Sequence, residues 1–180
     1  METEPAPAAQ RLPILIAPDP LLRKKSRLVG PGDAEQVRAL LPRMFASMYA
    51  APGIGLAAPQ VGTLLRVTVI DLGEANTRNP MVLINPQIVA ASTEEATREE
   101  GCLSLPGQYA EVTRPARVRV RWLDETGARR EIDAEGLLGV CLQHEIDHLE
   151  GVLFTDHLSV LKRNMILRRL AKEQRQKERA

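Results

Sequence analysis

The sequence predicts an α+β fold, with antiparallel or mixed β-sheets packed around a buried central helix and a further helix at the C-terminus. Three observations carry this. Residues 134–149 are apolar at Leu137, Leu138, Val140, Cys141, Leu142, Ile146 and Leu149. Those positions surround most of a helical cylinder, and a helix apolar on most sides is a buried one. Residues 116–123 alternate, with Val118, Val120 and Trp122 on one face and Arg117, Arg119 and Arg121 on the other, the pattern of a half-buried strand. The elements run helix, strands, helix, helix, which segregates helix from strand as α+β folds do.

Taken in order, residues 1–10 are rich in Ala and Pro, with two Glu and no basic side chain. They lack the charged start and apolar stretch of a secretory signal. The apolar run at residues 12–17 is interrupted by Pro13 and falls far short of the ~20 residues that cross a membrane. A cytoplasmic location is expected, with no membrane partner. Thiols stay reduced there, so Cys102 and Cys141 read as ligands, nucleophiles or packing atoms before they read as a disulfide.

Residues 33–50 place Val37, Leu40, Leu41, Met44, Phe45 and Met48 at amphipathic-helix spacing, with Asp33 as N-cap. Residues 65–70 and 81–84 are short β-rich runs bounded by Gly, Asn and Pro, hence strands. After residues 116–123, the turn Glu125-Thr126-Gly127 returns the chain to residues 129–132 as a hairpin. Gly151 follows the central helix where a C-terminal cap belongs. Ser159 can cap a final helix with Val160, Leu161, Met165, Ile166, Leu167 and Leu170 as its apolar positions.

The chain has 180 residues, 44% hydrophobic and 26% charged, which fits one soluble core and excludes disorder by composition. We expect a flexible tail at 1–10, a single domain at 11–170 and a basic polar helix end at 171–180. Residues 159–180 carry eight Lys or Arg against two Glu, although the net charge of the chain is only +1.

Within the central helix stands His144-Glu145-Ile146-Asp147-His148, an H-E-x-x-H pattern. Two His four residues apart share a helix face, so both imidazoles can reach one ion at ~2.0–2.1 Å, and the intervening Glu can serve as general base. A chance match would bury two His, a Glu and an Asp with nothing to compensate them. A hydrolytic site needs a third protein ligand and an open position. The longer zinc-protease pattern requires His where this chain has Phe154, which excludes that family. Glu173 and His157 are available by spacing alone. Cys141 lies on the His stripe but seven residues from His148, about 10.5 Å along the axis, which suits a small apolar wall residue better. Cys102, in Glu100-Gly101-Cys102-Leu103-Ser104 outside the helix, could complete a Cys-His-His set.

Three separated segments resemble the three motifs of the peptide deformylases: Gly53-Ile54-Gly55-Leu56-Ala57-Ala58-Pro59-Gln60, Glu100 to Ser104, and Gln143 to His148. The flanks Ala17-Pro18-Asp19-Pro20-Leu21-Leu22-Arg23, Arg114-Pro115 and Leu149-Glu150-Gly151 extend the match, and the long basic C-terminal helix resembles the Gram-negative-type members. The resemblance implies hydrolysis of the N-formyl group of formylmethionyl nascent polypeptides, with residues 11–170 as the catalytic domain. It implies Cys102, His144 and His148 as ligands of one divalent metal ion, Fe(II) in the cell, with Ni, Co or Zn also accepted. It implies Glu145 as general base, and Gln60 and the backbone N–H of Leu103 as oxyanion donors. Ile54, Leu137, Val140 and Cys141 would line the pocket for the first side chain, with the backbone of Gly55 against the substrate. A monomer is expected, docked through its basic C-terminal helix on ribosomal RNA near the exit tunnel. A metallopeptidase on the same ion, or a noncatalytic RNA-binding protein, are the competing readings.

Overall fold

The computed structural model describes residues 9–180, so most of the expected tail at 1–10 lies outside the described residues. The first long helix, α1, spans Ala34–Ala50 and buries Val37, Leu40, Met44 and Met48, the expected stripe. Asp33 does not cap it. A 3-10 turn at Pro31–Asp33 precedes α1, and the Asp33 carboxylate is committed backward, accepting from Gly30 N–H at 2.8 Å and from both Arg27 Nη atoms at 2.8 Å.

Seven strands follow the chain: β1 Gly55–Ala57, β2 Val67–Ile70, β3 Met81–Ala91, β4 Glu95–Cys102, β5 Leu105–Pro115, β6 Arg117–Leu123 and β7 Arg129–Glu135. They form a five-stranded sheet in the order β1-β2-β3-β6-β7 and a two-stranded β4-β5 sheet. Each of these pairings is antiparallel, and the parallel element among the described residues is an isolated Arg27–Leu65 bridge.

Two strand bounds need correction. The strand at 65–70 begins at Val67. The strand at 81–84 continues to Ala91 across Asn85-Pro86. Asn85 takes a φ of 51° there, and the pairing with β6 shifts register between Ile84 and Gln87. An irregularity of this kind lets a strand carry Pro, which otherwise reads as a stop. The β4-β5 hairpin has no counterpart in the sequence reading. Residues 95–99 are exposed, so no apolar alternation marks β4 as a strand.

The central helix α2, Gly136–Leu149, begins two residues later than expected because Ala134 and Glu135 close β7. It packs against β1, β2, β6 and β7 and buries Cys141, Leu142 and Ile146 with Ile70, Val118 and Val120, while Leu149 is buried as well. Gly151 takes a φ of 75° and its N–H reaches His148 O at 3.1 Å, ending the helix. The last helix, α3, runs Val160–Glu178, with Ser159 Oγ accepting from Lys162 N–H at 3.2 Å. Its buried residues, Ile166 and Leu170, join Leu22, Leu105, Val112 and Phe154 in a core shared with β5.

Candidate active site

The site lies where the end of β4 meets one face of α2. Cys102 is the last residue of β4, and Leu103 and Ser104 make the turn into β5, Cys102 pairing with Leu105. His144 and His148 stand one turn apart on α2, with ring centroids 5.0 Å apart. Cys102 Sγ is 3.3 Å from His148 Nε2, and one ligand atom from each of Cys102, His144 and His148 lies within 4.8 Å of the others. An ion held at ~2.3 Å from sulfur and ~2.0 Å from nitrogen needs its ligand atoms about 3.5 Å apart. The donor set therefore fits one borderline-soft divalent cation.

Behind the ligands runs a chain of buried charge. His144 Nδ1 donates to Glu100 Oε1 at 3.0 Å, which fixes the ring and leaves Nε2 for the metal side. Arg114 grips the same carboxylate with Nε at 2.7 Å and Nη2 at 2.9 Å, and donates through Nη1 to Asp147 at 2.8 Å. Glu100 and Arg114 are each 5% exposed. Burial pushes the Glu100 carboxyl up, but the hydrogen bonds from His144 and Arg114 outweigh it and hold it at about 2. His148 is driven the other way. Burial and then the charge of His144 hold its imidazole well below the usual range, in the neutral form that ligates metals.

Glu145 is 4% exposed, and its Oε2 has no hydrogen-bond partner among the described residues. Burial raises its carboxyl to about 7, opposed by the His144 charge. Gly55 on β1 makes room for it, since a Cβ there would lie 2.6 Å from Glu145 Oε1 and 3.1 Å from Cys141 Sγ. Only glycine permits that approach. Gln60 is buried and joins two tasks. Its Oε1 accepts from Ala57 N–H at 2.9 Å, closing the loop after β1, while Nε2 donates to Ser104 Oγ at 3.0 Å and reaches Cys102 Sγ at 3.6 Å.

A cleft of about 460 Å³ opens on these groups, lined among others by Ile54, Gly55, Gln60, Cys102, Leu103, Leu137, Val140, Cys141, His144 and Glu145. Every residue expected at the site thus lines the cleft except His148, which lies behind it at 1% exposed. Cys141 stands in the wall, outside the ligand cluster, and its thiol is pushed well up by burial, with the charges of Glu145 and Glu100 adding to the shift. The alternative third ligands are placed elsewhere. His157 Nε2 donates to Asp147 at 2.8 Å. Glu173 accepts from Gln108 Nε2 at 2.9 Å.

Tyr109 and Gln108 of the cleft wall carry no signal in the sequence, and neither does the pairing of Glu100 with Arg114. Arg114 was visible as part of a matching flank, but its partner lies across the β4-β5 ladder, Glu100 pairing with Ala110. Nothing local signals that contact.

A family model described as Polypeptide deformylase matches residues 11–164. A peptide deformylase of Rhizorhabdus wittichii is 54% identical over 173 residues, covering 93% of this chain and 97% of that protein. One of Zymomonas mobilis is 53% identical over 173 residues, with the same shares covered. Among solved structures, a peptide deformylase of Legionella pneumophila is similar with a TM-score of 0.87 and 48% identity, covering 96% of this chain and 99% of that one. The Ehrlichia chaffeensis peptide deformylase in complex with actinonin has a TM-score of 0.85 and 40% identity, covering 92% and 99%.

Proposed function

The chain belongs to the polypeptide deformylase family, and from that premise we propose how its own residues carry out the metal-dependent removal of the N-formyl group from nascent formylmethionyl polypeptides. The observation that carries the reading is the cluster of half-buried Cys102 with buried His144 and His148 beside Glu145, whose Oε2 has no partner among the described residues and which adjoins a cleft of peptide size. Cys102, His144 and His148 would hold one divalent ion, Fe(II) in the cell, with Ni, Co or Zn serving as well, since one thiolate and two imidazoles suit several borderline metals. Bound there, such an ion supplies Lewis acidity toward the formyl oxygen and toward water.

Glu145 takes the proton of the attacking water and returns it to the amine nitrogen as the C–N bond breaks. A carboxyl that burial holds at about 7 is matched to both transfers near neutral pH. The side-chain amide of Gln60, oriented by the bond from Ala57 to its oxygen, and the N–H of Leu103 donate to the developing oxyanion, each worth about 3 kcal/mol of barrier. Ile54, Leu137, Val140 and Cys141 receive the methionine side chain, and the backbone of Gly55 lies against the peptide.

Residues 11–170 act as the catalytic domain, since each proposed ligand and proton-transfer group falls within them, and the protein works as a monomer. We place the reaction in the cytoplasm, on the ribosome near the exit of the nascent chain. The basic side chains of α3 support this through their affinity for RNA phosphate. Among the described residues no helix is long and apolar enough to cross a membrane. The test is formate release from formyl-Met-Ala-Ser, with the unformylated peptide left intact. Glu145→Gln should retain its metal and lose at least ~10²-fold in turnover; near-normal turnover with metal retained would refute the assignment.

A further inference from the structure

Glu173 is the one acidic side chain in residues 159–177, a stretch otherwise rich in Lys and Arg. Ile166 and Leu170, the buried residues of α3, precede it by seven and three positions. Glu173 therefore continues their inward stripe rather than the outward basic face. What it meets there is Gln108 of β5, whose Nε2 donates to Glu173 Oε2 at 2.9 Å. Gln108 is 1% exposed, and its Oε1 is buried with no partner among the described residues. The bond to Glu173 is thus the one hydrogen bond of this side chain among them.

Gln108 sits at a sensitive place in the cleft wall. Its neighbour Gly107 has a φ of 75° and no side chain to hold it. Its other neighbour, Tyr109, is 62% exposed at the cleft. The Tyr109 ring covers Gly101, where a Cβ would lie 2.5 Å from Tyr109 Cε1, and Gly101 immediately precedes the metal-side Cys102. Tyr109 pairs with Gly101 in the β4-β5 ladder, but residues 106–108 fall in the register shift between that pair and Cys102–Leu105, and there the wall is pinned from behind by one charge-assisted bond from a different element.

We propose that Glu173 is a positioning residue for substrate binding: by fixing the Gln108 amide, it holds residues 106–109 as the wall against which the peptide that follows formylmethionine is laid. The proposal rests on the deformylase reading above. Without Glu173 the buried amide of Gln108 has no partner among the described residues, a state a protein relieves by moving the group toward water. Such a move draws on the backbone of residues 106–108, which no ladder pairing holds.

The experiment compares metal-loaded full-length wild type with Glu173→Ala and Glu173→Gln, using formyl-Met-Ala-Ser. Glu173→Ala should raise KM about fivefold, the loss of one hydrogen bond, with kcat within about twofold because the reacting groups are untouched. Glu173→Gln keeps an acceptor oxygen and should restore most of the wild-type KM. Amide hydrogen exchange across residues 105–110 should quicken in Glu173→Ala and not in Glu173→Gln, with α2 unchanged in both. Wild-type KM and exchange in Glu173→Ala would overturn the proposal, as would loss of kcat together with faster exchange throughout α2. If the wild type itself released no formate, the deformylase reading would fail, while the exchange comparison would still decide the role of Glu173.

Discussion

Replacing Arg114 by Met tests how much of the site depends on groups that never touch substrate. Arg114 and Glu100 are each 5% exposed and joined by two hydrogen bonds of 2.7 and 2.9 Å. Removing the guanidinium leaves Glu100 with His144 alone and strips Asp147 of its Arg114 bond. Breaking one side of a buried ion pair strands the other charge, at a cost of about 3–5 kcal/mol. Glu100 is also the carboxylate that orients His144, and loss of such a partner typically weakens metal affinity ~10–100-fold. Arg114→Met should therefore unfold at lower urea by that stability loss and surrender metal to a chelator that the wild type withstands. The double variant Glu100→Gln, Arg114→Met removes the stranded charge, so it should regain stability without regaining metal affinity. The two measurements thus separate burial of charge from orientation of the ligand. A single-variant loss under about 1 kcal/mol, within the range of an exposed pair, together with unchanged metal retention, would refute the reasoning.

Cys102→Ala should lose both metal and activity, whereas Cys141→Ala should keep its metal and change chiefly stability or the preferred first side chain; metal analysis of both purified variants decides, and the reverse pattern would mean that the wrong cysteine was chosen. The Asp33 carboxyl is held at about 2 by the hydrogen bond from Arg27 and then that from Gly30 N–H, and Asp124 is held well below its ordinary value by the Thr126 hydroxyl and then Arg130. Depressed carboxyls contribute stability that is complete above their unfolded value of 3.8 and lost as pH falls toward the folded value. Between about pH 5 and pH 2 urea midpoints should thus fall, less steeply in Asp124→Asn than in the wild type; equal slopes in variant and wild type would count against it. Truncation after Gln174 removes Arg175, Lys177 and Arg179 but spares Glu173, so ribosome binding should weaken and its salt dependence flatten by about 2–3 in log–log slope, with short-peptide turnover unchanged; unaltered binding at every salt concentration would return the tail to a solvated helix end.

What could be read from the chain alone follows the range over which each signal acts. The metal-binding face of α2 is written locally, because helical geometry converts a four-residue spacing into a shared face, and the structure has His144 and His148 with ring centroids 5.0 Å apart. The α1 stripe and the β6 alternation are local in the same sense. The β4-β5 hairpin was opaque because β4 is solvated along most of its length. Its pairing is fixed by a ladder to β5 and by the buried Glu100–Arg114 bond, which join residues 14 apart through no periodic pattern. Cys102 was found by its motif and by the distance that disqualified Cys141, and its approach to α2 depends on that same unseen hairpin. Glu173 shows the opposite failure. A stripe judged by apolar residues ends at Leu170, yet the inward face of α3 continues one turn further with a carboxylate, because what it meets on β5 is the amide of Gln108 rather than a hydrocarbon. A polar residue on a core-facing position reads as solvated until its partner is known, so a helix that looks idle beyond its last buried leucine can still fix the wall of a cleft built from strands more than sixty residues earlier.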